Sequence, residues 1–289
     1  MYFKRFFDVN EFYDATYDLL MRHEAQNLIP LGNIIIGKKG EDKSGWRDPA
    51  NWFMATVSDD AGVRLVAIMT PPHNIALYAR ENIVDERAVA CLIDNFGDIA
   101  PPGVMSTNDL ALHFTRAYCA AKGLTHEIVK RQRIYELTQI CPDIQPIGTI
   151  RRANEGDMYF VPFWIEAFYS AADLYGKDTM NIPQDAQIYL DRIKHGQIYI
   201  LEDDGRPVSI AGINREMETV CGIGSVFTPP YFRQKGYATS CVAQLSQIAL
   251  DKGFTKCVLY TDLANPTSNS IYQKIGYEAI CDSLMIKFL

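Results

Sequence analysis

Residues 224–239 read Gly-Ser-Val-Phe-Thr-Pro-Pro-Tyr-Phe-Arg-Gln-Lys-Gly-Tyr-Ala-Thr, and this order constrains the chain more than any other stretch. A strand-like run ends at Pro229-Pro230, and a turn carrying Arg233, Lys235 and Gly236 follows. Helical spacing then begins near Tyr237 and continues through Val242, Leu245, Ile248 and Ala249, with Gly253 as its stop. A strand, a basic glycine turn and a helix start, in that order, make an anion cradle. The first N–H groups of a helix lack intrahelical acceptors, and the helix dipole adds positive potential there. Gly236 has no Cβ, so the backbone can approach a bulky anion closely. The expected guest is a phosphate or pyrophosphate. The turn lacks the Gly-Lys-Ser/Thr ending of a P-loop, which sets that kind of nucleotide site aside.

Taken alone, Arg-x-x-Gly-x-Ala at 233–238 is an ordinary loop-to-helix connection. Two neighbouring features change its weight. Gly222 and Gly224 interrupt the preceding strand, where glycine marks a bulge or a close backbone approach. Downstream, 265–277 read Asn-Pro-Thr-Ser-Asn-Ser-Ile-Tyr-Gln-Lys-Ile-Gly-Tyr. Asn265 suits a helix N-cap and Pro266 the first helical position. Tyr272 then lies one turn beyond Ser268 on the same face.

Together these pieces resemble the GNAT superfamily of acyl-CoA-dependent N-acyltransferases, over about residues 147–289. The resemblance implies that Arg233, Gln234, Lys235, Gly236, Tyr237, Ala238 and Thr239 hold the pyrophosphate of acetyl-CoA, largely through backbone N–H groups. It implies main-chain pairing of Val226, Phe227 and Thr228 with the pantetheine arm, and contact of Asn265 with the coenzyme. Ser268 and Asn269 are placed to join it. Tyr272 matches the family tyrosine that protonates the departing thiolate. The implied reaction is direct attack of a primary amine on the acetyl thioester. That amine belongs to a small-molecule or peptide acceptor that the sequence does not name. A lysine-like amine, with a pKa near ~10.4, must first lose a proton. Glu166, Glu216, Glu218 or a water chain are the candidate bases. Alternatives are a non-catalytic coenzyme A sensor and a pseudoenzyme scaffold. The resemblance also implies an α/β fold of two tandem GNAT-like domains. Each has a mixed, mainly antiparallel central sheet flanked by helices, with a splayed fourth strand in the second.

The bulk composition is that of a globular chain. The 289 residues suffice for one large domain or two ordinary ones. A net charge of −7 argues against a general nucleic-acid binder and mildly favours a cationic substrate. The seven cysteines are scattered, with no C-x-x-C pair, and read as small buried thiols in a reducing compartment. The histidines show no zinc spacing, so no metal is expected. No apolar run has membrane-span length and the N-terminus lacks a signal-type apolar core. These features point to a cytoplasmic protein without membrane or nucleic-acid partners, as a monomer or homodimer.

Cys141-Pro142-Asp143-Ile144-Gln145-Pro146 is the expected join, because two prolines in five residues break regular structure. It divides a domain at 1–141, without a coenzyme cradle, from a catalytic domain at 147–289. Helices are expected within 9–29, 85–96, 107–122, 157–174, 183–194, 237–252 and 266–274, and a loop at 40–50. Strands are expected at 52–57, 63–69, 75–79, 129–140, 147–153, 197–202 and 207–214, in a run ending at Thr228, and at 256–262 and 284–288. The two halves share an order of helices, hairpin, strand and helices. They also share a local echo, since Thr70-Pro71-Pro72 before Tyr78-Ala79 resembles Thr228-Pro229-Pro230 before Tyr237-Ala238. Phe160, Phe163, Trp164, Phe168 and Tyr169 have the spacing of a helix core and could also wall an acceptor pocket.

Overall fold

Asp204 (φ 51°) and Gly205 (φ 72°) both take left-handed backbone, as a two-residue hairpin turn requires. They join strands β8 (Ile198–Asp203) and β9 (Arg206–Glu216), which pair antiparallel. A second hairpin closes at Gly62 (φ 103°) between β2 (Phe53–Asp59) and β3 (Gly62–Met69). The structure, a computed structural model, describes residues 1–40, 47–172 and 182–289. Its contacts divide the chain into two units, Met1–Ile134 with Ile280–Leu289, and Tyr135–Ala279.

The first unit runs β1 (Tyr2–Phe6), α1 (Val9–Met21), α2 (Leu28–Lys39), β2, β3, β4 (Ile75–Ala79), α3 (Glu86–Asp94), β5 (Gly103–Thr107), α4 (Asn108–Lys122) and most of β6 (His126–Leu137). The second takes the end of β6, then β7 (Thr149–Arg152), α5 (Val161–Ala171), α6 (Ile182–Lys194), β8, β9, β10 (Val220–Phe227), α7 (Tyr237–Asp251), β11 (Lys256–Asp262) and α8 (Pro266–Ile275). Most of the last strand, β12 (Glu278–Phe288), returns to the first unit.

The order β-α-α-β-β-β-α-β-α-β occurs twice. So does its pairing, three antiparallel neighbours followed by one parallel, in β1–β2–β3–β4–β5 and in β7–β8–β9–β10–β11. Each is a mixed, mainly antiparallel α/β arrangement flanked by helices.

The chain's end departs from a simple split at 142–146. Ser283–Lys287 pair antiparallel with Thr107–Gly103 of β5. Leu284, Ile286 and Phe288 are buried in the first unit's core with Phe114 and Tyr118. Each such side chain contributes roughly 1.5–3 kcal/mol when fully buried. A terminal strand of alternating apolar residues can complete any open sheet edge, so its pattern alone does not tell which one.

The local echo fails as a structural correspondence. Thr70-Pro71-Pro72 follows β3 and leads into β4, whereas Thr228-Pro229-Pro230 follows β10, the counterpart of β4. The repeat lives in element order. Three elements escaped the sequence reading: β1, β5 and all but the first residues of α2. The first two are only five residues long, too short for a clear period. The helix expected at 157–174 begins as a 3-10 turn, Glu155–Tyr159, before α5, and residues 173–174 lie outside the described residues. The expected loop at 40–50 holds a 3-10 turn at Pro49–Asn51, and its positions 41–46 also lie outside them.

Two cores cover the faces of the second unit's sheet. On one face Ala211, Ile213, Cys221 and Ile223 meet Cys241, Val242, Leu245 and Ala249 of α7 and Tyr272 and Ile275 of α8. On the other, Ile198, Ile200, Ile210 and Phe227 meet Val161 and Ile165 of α5 and Tyr189 and Ile193 of α6.

Candidate functional site

Strand β10 parts from one neighbour and buckles against the other. Its parallel pairing with β11 covers Val220–Gly222 against Lys256–Val258, and both strands continue beyond that ladder. Against β9, the register passes from Gly224↔Gly212 to Phe227↔Ile210, three steps on β10 for two on β9. Ser225 takes φ 52° within this bulge. A Cβ on Gly224 would stand 2.0 Å from Nδ2 of Asn214, so the amide of Asn214 fills the space above that glycine.

Beyond β10 the chain makes a 3-10 turn at Pro230–Phe232, and α7 starts from Gly236 (φ 83°) with no side-chain cap. Gln234 is also left-handed, at φ 62°. The first helical bond is Ser240 N–H to the Gly236 carbonyl, 3.0 Å. The N–H groups of Tyr237, Ala238 and Thr239 precede it, at the positive end of the helix dipole. Arg233 and Lys235 are exposed beside them. Arg233 Nε donates to the Thr228 carbonyl at 3.0 Å, and Thr228 Oγ1 meets Ser209 Oγ at 2.8 Å. Val226 and Thr228 are partly exposed, while Phe227 is buried. The Tyr237 hydroxyl donates to Asp203, and that bond raises its pKa. These donors and cations around an uncapped helix start fit a pyrophosphate.

The corresponding helix of the first unit differs. Asp85 caps α3, its carboxylate accepting from Arg87 N–H at 3.0 Å, and Glu86 follows in the first turn. The Asp85 carboxylate takes an N–H that an anion would need, and Glu86 adds a second negative charge beside it.

Helix α7 is also strapped to the segment before β7. Ser240 Oγ donates to the Ile147 carbonyl (2.8 Å) and accepts Ile147 N–H (2.9 Å), and Gln244 Oε1 accepts Ile150 N–H (3.2 Å). A Cβ on Gly236 would approach Ile147 Cδ1 at 3.1 Å.

Helix α8 starts as its sequence suggests. Asn265 Oδ1 accepts Ser268 N–H at 3.0 Å, with Pro266 in the first turn. Asn265 is exposed and Ser268 partly so. Asn269 is held at both ends of its amide. Nδ2 donates to the carbonyls of Asp262 (2.9 Å) and Asn265 (2.7 Å), and Oδ1 accepts the Tyr135 hydroxyl (3.1 Å). Its geometry is that of a brace for the loop before α8. Tyr272 is buried against the rings of Tyr135 and Tyr277, at 6.3 and 5.9 Å between centroids. Burial pushes its pKa up to about 12.

The candidate bases are spread apart. Glu216 lies opposite Cys221 at the start of β10 and pairs with Lys252 (3.4 Å), on the α7 side. Glu218 is an exposed residue between β9 and β10. Glu166 of α5 accepts the Tyr189 hydroxyl of α6, on the opposite side of the sheet. Of the aromatic residues of that region, Phe160 is core and Trp164, Phe168 and Tyr169 pack against it, while Phe163 is 55% exposed.

Sequence reasoning missed a polar group on the α5–α6 side. Arg192 Nη2 donates to Asn214 Oδ1 (3.0 Å) and lies 3.4 Å from Ser225 Oγ. The available signal was Gly212 opposite Gly224, which leaves room for long side chains.

No cluster of metal-ligating side chains and no helix long and apolar enough to cross a membrane occurs among the described residues. The paired halves, the splayed strand and the uncapped α7 define a mixed, mainly antiparallel α/β fold built twice over. Residues 164–277 match the acetyltransferase (GNAT) family model, and the chain carries a GNAT domain there. An acetyltransferase from the GNAT family of Colwellia psychrerythraea aligns over 100% of this chain and 99% of its own, with TM-score 0.60 and 11% identity. A Drosophila protein solved by X-ray aligns over 99% and 98%, with TM-score 0.67 and 11% identity. A GCN5-related N-acetyltransferase from Sphaerobacter thermophilus aligns over 99% and 95%, with TM-score 0.60 and 12% identity. At such identities the likeness is one of fold, and it extends over the whole chain. No curated protein matches by sequence.

Proposed function

We propose that this protein is an N-acetyltransferase that moves the acetyl group of acetyl-CoA to a primary amine by direct attack. The observation that carries the reading is the uncapped start of α7 directly behind a strand whose parallel ladder stops at Gly222. Tyr237, Ala238 and Thr239 offer N–H groups to the pyrophosphate, with Gln234 and Gly236 shaping the turn and Arg233 and Lys235 adding positive charge. Val226, Phe227 and Thr228 offer backbone groups to the pantetheine arm along the open side of β10. Asn265 and Ser268 close the far side, and Asn269 braces them. Acetyl-CoA, when bound, supplies the activated acetyl group. The first unit, with Asp85 and Glu86 at its helix start, is read as a GNAT-like copy without a coenzyme site.

Glu216 and Glu218 lie at the paired end of β10, so Glu166 of α5, which accepts the Tyr189 hydroxyl, or a water chain is read as the acceptor of the amine proton. Tyr272, held at a pKa of about 12, keeps its proton throughout the neutral range. Complete transfer from it to a thiolate of ordinary pKa, ~8.5, would be uphill by roughly 5 kcal/mol. Tyr272 therefore acts by donating a hydrogen bond to the departing sulfur.

Calorimetry with acetyl-CoA, alongside thiol release over amino acids, polyamines, aminoglycosides and peptides, tests the reading. Binding with turnover of an amine supports it. Binding with no thiol release from any amine would make the protein a coenzyme sensor, and no binding would overturn the site.

A further inference from the structure

Two bulges flank Gly224. On β9 the register passes from Arg215↔Gly222 to Ile213↔Ile223, two steps against one, and Asn214 is the extra residue. On β10 it passes from Gly224↔Gly212 to Phe227↔Ile210, and Ser225 takes left-handed backbone. A bulge frees a residue from the strand's alternation and re-aims its side chain, and bulges gather beside active sites. Here the re-aimed group is the amide of Asn214, which comes over Gly224 on the side where a Cβ would point. The orientation of that amide follows from its neighbour. Arg192 Nη2 stands 3.0 Å from one of its two terminal atoms. A guanidinium has donors only, so that atom is the oxygen, Oδ1. Ser225 Oγ lies 3.5 Å from the same oxygen. The amino end is the one that reaches Gly224, where the Cβ position is 2.0 Å from Nδ2 and 3.7 Å from Oδ1. Asn214 is exposed, so this N–H donor is open to a ligand.

Resting on the acetyltransferase reading, we propose that Asn214 is a catalytic residue whose Nδ2 donates to the carbonyl oxygen of the acetyl thioester. The β10–β11 ladder stops at Gly222, so β10 is open toward β11 from the next residue on. With the pyrophosphate at α7 and the pantetheine arm along Thr228, Phe227 and Val226, the thioester end reaches Ser225 and Gly224. Nδ2 of Asn214 stands there. In the reaction the amine nitrogen bonds to the carbonyl carbon, and the C=O π pair moves onto oxygen. A donor already fixed where that charge develops stabilises it with no reorganisation at the moment of attack. Arg192, by holding Oδ1, fixes it. The pair on oxygen then restores the double bond, the C–S bond breaks, and its electrons leave with sulfur. The proton shed by nitrogen passes to Glu166 or the water chain, and the thiolate takes one from solvent.

The test is calorimetry on the full chain with coenzyme A, acetyl-CoA and S-ethyl-coenzyme A, a thioether that lacks the carbonyl oxygen. The wild type should bind acetyl-CoA about threefold to tenfold more tightly than the thioether, as for one hydrogen bond. Asn214→Ala removes the donor and should bring the two to equal affinity. Asn214→Asp keeps an oxygen for Arg192 but has no N–H, and should lose the preference as well. Both variants should bind coenzyme A itself as the wild type does, which also shows that they fold. With an amine that releases thiol, each should lower kcat about a hundredfold at an unchanged KM for the amine. No preference in the wild type, a preference that survives either substitution, or an unchanged kcat would overturn the proposal. So would an equal loss of coenzyme A and acetyl-CoA binding in the variants, which would make Asn214 a brace of the strands. A wild type that binds none of the three defeats the coenzyme site itself, which is a different record.

Discussion

Tyr135, on β6, donates its hydroxyl to Oδ1 of Asn269 at 3.1 Å. The donor comes from a strand that precedes the GNAT domain in sequence, and the acceptor braces the loop from which Asn265 starts α8. Tyr135→Phe removes the donor from that half-buried amide oxygen, which costs about 0.5–1.5 kcal/mol. Urea unfolding should show the loss, and calorimetry should show weaker acetyl-CoA binding than the stability change alone accounts for. Unchanged coenzyme affinity would make the contact purely structural.

The same strand bears on excision of the domain. A fragment of residues 147–289 lacks Tyr135 and Leu137, both buried in the second unit's core, and Ile280–Leu289 would have lost its own pairing partner. It should not unfold cooperatively, whereas the whole chain should. Circular dichroism during urea titration separates the outcomes, and a sharp fragment transition would count against the division of contacts described above.

At Gly236, two substitutions separate strain from charge. The φ of 83° strains any side chain by about 1–2 kcal/mol. Gly236→Ala should lower stability and weaken acetyl-CoA binding modestly. Gly236→Glu places a carboxylate against the pyrophosphate and should weaken binding roughly a hundredfold. Equal affinities of the two variants in calorimetry would remove the cradle assignment.

Tyr272→Phe should lower kcat several-fold at unchanged acetyl-CoA affinity. Because burial holds Tyr272 near 12, the pH profile of kcat should show no inflection from this group below pH 11. Stopped-time assays of both enzymes from pH 6 to 10 provide the check, and equal kcat would take Tyr272 out of the reaction.

Burial also raises Cys241 and Cys257 from 9.0 to about 12, and Tyr272 from 10.0 to about 12. The native state keeps these protons where the unfolded state has lost them. Their stabilising effect is complete below pH 9 and is lost as pH rises toward 12, by up to ~1.4 kcal/mol per pH unit for each group. Urea midpoints should fall between pH 9 and 10.5, and Cys241→Ala should flatten the decline. The buried thiols should resist alkylation until the protein unfolds.

What the sequence discloses follows from locality. Asn265-Pro266 announces its helix, Gly123 ends α4 in left-handed backbone, and Asp204-Gly205 closes its hairpin, because each needs only its neighbours. The turn from Arg233 to Gly236 was legible for the same reason. The destination of β12 was not, since a strand's partner depends on which edge lies open. Nor was the brace of Tyr135 on Asn269, 134 residues apart, or the placing of Arg215 opposite Gly222, which depends on a bulge at Asn214 that shifts the register. Thr70-Pro71-Pro72 misled because a proline pair marks the end of a strand without saying which strand it ends.

The pairing of β12 with β5 bears on biosynthesis. Thr107 and its partner Ser283 are 176 residues apart, a stretch that takes roughly 9–35 s to translate at ~5–20 residues per second. Throughout that time the first unit is on or near the ribosome with one edge of β5 unpaired, because its closing strand follows the whole of the second unit. The N-terminal half of this chain cannot finish folding first, so a truncated or stalled product exposes a sheet edge in a half whose own sequence is intact.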